Sequence, residues 1–162
     1  MSPTHRTRRV ALTAAVLLAG AAAAVAVVPA ASADQTLRLT TVAVPDRNTD
    51  LDLGEPGLSA GDTQVFLDDV QRGGRTVGTS AGSCTVTAVS ESRLAVVCTA
   101  TLTLPEGTLT LQGVGDEDPT VGPTGFEWAV TGGTGRFADA GGELTGTFRP
   151  GTDVVDVEIR LG

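Results

Sequence analysis

The 162 residues carry 19 acidic side chains against 11 basic ones, all of them arginine, for a formal net charge of −8. That balance excludes nucleic acid and anionic membrane surfaces as partners, because both require a basic face. Aromatic residues are few, four Phe, one Trp and no Tyr, and the one histidine is His5.

His5, Arg6, Arg8 and Arg9 precede an uncharged apolar run from Val10 to Val28, and Ala31-Ser32-Ala33 then offers an A-x-A cleavage site. A basic segment, an apolar core and a small-residue site in that order make up an export signal. The run is long enough to span a membrane, but its alanine-rich composition, N-terminal position and cleavage site favour removal. Residues 1–33 are therefore expected to be a cleaved signal peptide and residues 34–162 a single domain, secreted and off the membrane. Thr7-Arg8-Arg9-Val10-Ala11-Leu12 resembles a twin-arginine signal weakly, which leaves Sec and twin-arginine export both open. Cleavage would remove His5 while keeping every acidic residue and eight arginines. A chain without imidazole has no Ser-His-Asp triad, no histidine base and no histidine-ligated metal, and no cofactor or metal is expected.

After Asp34 the apolar pattern has period two, broken at short intervals by Gly, Pro, Asn and Asp. It predicts strands over 36–44, 63–71, 75–79, 83–89, 93–104, 108–114, 125–131, 135–139, 143–149 and 153–161. The segment from Pro45 to Gly61, with Asp46, Asn48, Asp50, Gly54, Pro56 and Gly57, reads as a long surface loop over one end of the sheet. So many short strands in one small domain must close into a barrel or stack as a sandwich, and the pattern alone leaves both open.

Two stretches carry more specific information. In Phe126 to Gly142, Phe126, Trp128 and Val130 share one strand face, and three glycines within four residues follow. The chain's aromatic bulk is concentrated beside residues that let two backbones approach closely, so this hairpin is expected to supply the bulkiest part of the core. Gly133-Thr134-Gly135-Arg136-Phe137-Ala138 also fits a loosened dinucleotide fingerprint, but Gly141, Gly142, Gly146 and Pro150 follow, so no helix starts there to hold a pyrophosphate. The second stretch is residues 83–99. If Ser90-Glu91-Ser92 is a three-residue turn, Cys84 lies opposite Cys98, Val86 opposite Val96 and Ala88 opposite Leu94, all on one face. Cross-strand cysteines in an exported chain are expected to form a disulfide, the alternative being two buried thiols.

Ala129-Val130-Thr131-Gly132-Gly133-Thr134-Gly135, followed by the aromatic Phe137 and a small-residue turn, resembles the allene oxide cyclase and dirigent families. Asp46-Arg47-Asn48, Gly61-Asp62, Phe66, Val77-Gly78-Thr79, Ala81-Gly82-Ser83-Cys84 and Gln112-Gly113 stand in the same families' order and spacing, so the resemblance covers most of residues 34–162. It implies a closed or nearly closed antiparallel eight-stranded barrel and, as in the plant members, a homotrimer. It also implies an apolar cavity in which a small reactive molecule is held in one conformation while it cyclises or couples.

The families' functional residues carry over in part. The glutamate and asparagine of the plant cyclases' first strand are Thr41 and Ala43 here, the proline after D-R-N-S is Asp50, and a second pocket asparagine falls on Asp68. The cavity cysteine matches as Cys84, while the dirigent A-R-G is Ala140-Gly141-Gly142. Counting faces from this alignment puts Leu37, Leu39, Thr41 and Ala43 inside, together with Phe66, Asp68 and Val70. Thr41, Phe66 and Trp128 are therefore the candidate ligand-cavity residues and Asp68 the candidate catalytic one. A carboxyl buried without a cation can serve as a proton donor; the alternative has Asp68 at the barrel mouth, solvated or paired with Arg72 or Arg75. Asp116-Glu117-Asp118 lacks the alternating spacing of a calcium loop and reads as a solvated turn. Two functions fit: a secreted, cofactor-free cyclase or isomerase acting on a small apolar molecule, or a non-catalytic carrier or structural barrel.

Overall fold

The computed structural model describes residues 35–162, and the expected signal peptide lies outside them. Nine strands follow in chain order: β1 (Gln35–Val42), β2 (Thr49–Leu51), β3 (Thr63–Arg72), β4 (Arg75–Ser90), β5 (Arg93–Leu104), β6 (Gly107–Glu117), β7 (Gly125–Gly133), β8 (Gly142–Phe148) and β9 (Val154–Leu161). From β3 to β9 each strand pairs antiparallel with the next, β9 pairs with β1, and Thr40–Val42 of β1 pair with Asp69–Gln71 of β3. That last pairing closes the sheet. β2 lies on the same edge of β3, with Thr49–Leu51 against Thr63–Val65, so β1 and β2 share one position and the barrel is eight-stranded, as the family resemblance implies. Closure pairs β1 with β3 and leaves only the short β2 with an unpaired edge, whereas a sandwich of such strands would leave several.

Alternation along each strand sends every second side chain inward. At one end these side chains meet and exclude solvent: Leu39, Val70, Leu104, Leu109, Phe137 and Ile159 are all buried, Val70, Leu109 and Ile159 completely. Phe137 reaches this floor from a 3-10 turn, Gly135–Phe137, and not from the strand expected over 135–139. Gly135 takes φ +63°, a left-handed conformation incompatible with a continuing strand.

Other boundaries also move. The strands expected over 75–79 and 83–89 are one sixteen-residue strand, β4. Residues 80–82, expected as a break, are paired within the ladder, and the missing side chain of Gly82 lets Phe66 and the backbone of β5 come close. The long loop contains a 3-10 turn, Pro45–Arg47, and the short strand β2. In the β4–β5 hairpin, Cys84 opposes Cys98 and Val86 opposes Val96 as expected, but the register slips between Val86 and Ala88. Ala88 thus faces Ala95, Val89 faces Leu94, and the turn is the two residues Glu91-Ser92. The extra residue, Thr87, donates its hydroxyl to the Ala95 carbonyl at 3.1 Å, which holds the bulge.

Cys84 and Cys98 are joined in a disulfide, their Cα atoms 4.1 Å apart. Cys84→Ser is expected to lower unfolding free energy by about 2–5 kcal/mol, the usual loss for a native bridge in a small domain. Denaturant titration checks this, and a midpoint unchanged from the oxidised parent would contradict it.

Candidate functional site

The floor fills only one end of the barrel. Above it lies a cavity of about 780 Å³, lined by the ends of β1, β4, β6 and β8 and the beginnings of β3, β5, β7 and β9. Leu102, Leu111, Leu144 and Val157 form its base, and all four belong to the buried core. Phe66, Phe126, Trp128 and Phe148 line its walls. The volume falls within the range of ligand pockets, about 300–1,000 Å³.

An eight-stranded barrel with four aromatic rings inside could easily be full. This one stays open because three of the rings lie across the backbone of the neighbouring strand. Phe66 is paired with Gly82, Trp128 with Gly113 and Phe126 with Gly146, and a Cβ on any of these glycines would overlap the ring beside it. The rings also pack on one another, Phe126 and Trp128 with centroids 4.5 Å apart and Phe126 and Phe148 at 5.7 Å, near edge to face.

All the residues expected at the cavity from sequence, Thr41, Phe66, Asp68 and Trp128, line it, and the disulfide Cys84–Cys98 forms part of its wall. Among the described residues Asp68 is paired with neither Arg72, which bridges to Glu106 at 2.7 Å, nor Arg75. Its partner is Asn48, whose Nδ2 donates to Asp68 Oδ1 at 3.0 Å. Asn48 itself is fixed by a gap in the barrel. Between the pairs Val42–Asp69 and Thr49–Val65 the β1–β2 side spends residues 43–48 where β3 spends 66–68, so the ladder is interrupted. The Leu67 N–H in that gap donates to Asn48 Oδ1 at 3.1 Å, which forces the amide nitrogen toward Asp68. On the outside of the same gap Arg47 binds Asp69 at 2.6 Å. The consecutive residues Arg47 and Asn48 therefore hold the consecutive residues Asp69 and Asp68, one pair on each face of β3.

Two further carboxylates belong to the site. Asp62 is buried, 8% exposed, and ties down the loop over the mouth: its oxygens accept from the Leu53 N–H at 2.8 Å, the Ser59 N–H at 2.7 Å and the Ser59 hydroxyl at 3.3 Å. Those donors, the two backbone amides foremost, hold its carboxyl below the ordinary aspartate value. Glu117 was expected in a solvated turn, but β6 runs on to it, and at that parity it joins Leu111 and Gly115 in lining the cavity. Desolvation pushes its carboxyl above the ordinary value. The acids beside it diverge, Asp116 outward to Arg93 at 2.7 Å and Asp118 onto Thr120. A strand extended three residues past 114 would have revealed Glu117 from sequence; the hold of Asn48 on Asp68 depends on the gap between β1 and β2 in the ladder, which no local pattern announces.

Residues 40–161 match the family described as the allene oxide cyclase barrel like domain. The chain belongs to that family. Among solved structures, this allene oxide cyclase-like barrel is similar to pyocyanin demethylase, with 29% identity and a TM-score of 0.68 over 79% of this chain and 100% of that one. It is also similar to the pterocarpan synthase dirigent protein GePTS1, at 17% identity and TM-score 0.63 over 79% and 83% of the two chains. A third similar structure is the Diels-Alderase AbmU from Streptomyces koyangensis, at 19% identity and TM-score 0.60, where 78% of this chain covers 63% of that one. The last two share the fold with this barrel. No curated protein matches the sequence.

The Asp62 anchor gives this allene oxide cyclase-like barrel an acid-sensitive loop. Because the folded-state pKa lies below the unfolded value of 3.8, the anchoring is complete above that value and is lost as pH falls through the folded one. Amide exchange at Leu53 and Ser59 should accelerate, beyond its intrinsic pH dependence, only in acid. In Asp62→Asn it should be fast at neutral pH with no such transition, and protection unchanged in that variant would refute the anchor.

Proposed function

We propose that this barrel is exported, takes a small apolar molecule into its cavity and guides its cyclisation or isomerisation there without a cofactor. The observation that carries the reading is a carboxylate, Asp68, one oxygen of which accepts from the Asn48 amide nitrogen at the wall of an open aromatic cavity. Fixed walls restrict the conformations a flexible substrate can adopt, and that restriction alone lowers the barrier to ring closure. Asp68 adds a group that can give a proton to, or take one from, a reacting atom. In an isomerisation the same proton is returned elsewhere on the molecule, so the step balances without oxidant, reductant or second substrate. Export is supported by the N-terminal segment and is compatible with the disulfide.

A carrier function is the second reading. Thr41 and Ala43, on the same wall, bring no group that would transfer a proton at neutral pH, and this favours storage over chemistry.

Asp68→Asn separates the two. In a catalyst it should lower kcat by about 10²–10⁴-fold while leaving the affinity for a neutral ligand within a few fold, because the loss falls on the transition state. In a carrier neither quantity exists to be lost except affinity, which should not change. Retained turnover in Asp68→Asn would remove Asp68 from the chemistry. Export is checked by N-terminal sequencing of secreted material: the chain should begin at Asp34, and a cell-bound chain still carrying Val10 to Val28 would defeat it.

A further inference from the structure

The cavity has a sign. Asp50, Asp52, Asp62, Asp68, Glu117 and Asp153 line it, and no arginine among the described residues does. The arginines that form ion pairs serve carboxylates outside the cavity, because alternation along the strands turns them away from it. Asp69 and Asp116, each one residue from a cavity acid, point outward and bind Arg47 and Arg93. Arg38 and Arg160 both go to Glu158, Arg72 to Glu106 and Arg149 to Asp156, all outside the cavity. Inside, the carboxylates have only neutral donors: Asn48 for Asp68, Gln64 for Asp50, and backbone N–H groups for Asp52 and Asp62. No hydrogen bond reaches the Glu117 carboxyl among the described residues, and desolvation raises its pKa.

We propose that the cavity selects a flat apolar molecule bearing a positive charge. The proposal rests on the ligand-binding reading above and adds the charge of what is bound. The cavity makes the site, and the carboxylates set its preference. A planar cation fits both halves of the lining at once. Its faces lie against Phe126, Trp128 and Phe148, whose ring quadrupoles attract positive charge. Its charge supplies the counter-ion that Asp68 and Glu117 lack. A neutral molecule would gain only the first term, and an anion would meet repulsion from a mouth of one sign.

Three probes of nearly the same shape test this: N-methylacridinium, acridine at slightly alkaline pH where it is uncharged, and an acridine carboxylate. Trp128 is the only tryptophan, so quenching of its emission reads occupancy of the cavity. N-methylacridinium should bind at least about tenfold tighter than acridine, with the carboxylate weakest. Asp68→Asn and Glu117→Gln should each reduce that preference and leave acridine affinity unchanged. Glu143→Gln removes the same charge from the exposed outer side of β8 and should leave the preference intact. Equal affinity for N-methylacridinium and acridine would overturn the proposal while sparing the ligand-binding cavity. So would a loss of preference in Glu143→Gln as large as in Glu117→Gln, which would assign the effect to overall charge. Failure of all three probes to bind would overturn both readings together.

Discussion

The open interior depends on rings lying on residues that have no side chain. Phe66, Phe126 and Trp128 each face a glycine directly across the ladder, and the overlap that any Cβ would cause there shows how closely ring and backbone are packed. Had larger residues stood at Gly82, Gly113 and Gly146, the rings would have been driven toward the barrel axis, where a barrel of this size has little room. Glycine within a strand is unfavourable by roughly 0.5–1 kcal/mol against alanine. Here that loss is offset by aromatic area buried on the neighbouring strand and by the lumen it preserves. The glycine-rich composition and the cavity are therefore one feature seen at two scales.

A second constraint acts at the seam where β1 gives way to β2. A closed barrel cannot leave ladder groups unsatisfied without loss of stability, and the Asn48 amide fills the gap by accepting the Leu67 N–H. The same amide then has only its nitrogen left to offer, and Asp68 takes it. A requirement of closure thus orients the cavity carboxylate, while Arg47 draws the neighbouring Asp69 to the other face.

Much of this was legible in the sequence because alternation is a strong signal in strands with one buried face. It gave the shared face of Phe126, Trp128 and Val130 and the opposition of Cys84 and Cys98, while the family resemblance placed Phe66 and Asp68 inside and supplied closure where period alone left barrel and sandwich open. What stayed hidden depends on contacts distant in sequence. Gly82 looks like a turn residue until Phe66 and the backbone of β5 are placed against it. Ala88 was assigned to the wrong face because a single bulge at Thr87 flips everything beyond it. Glu117 was hidden by its acidic neighbours, since a run of three acids resembles a turn whether or not the strand continues through it.

The packed floor of Leu104, Leu109 and Phe137 makes the barrel a blind tube. Any molecule that enters must leave by the same doorway, so the end that goes in first is the last to come out. Exchange is thereby governed by the single rim where the Asp62-anchored loop sits, and a long molecule can be handled only with its far end protruding into solvent.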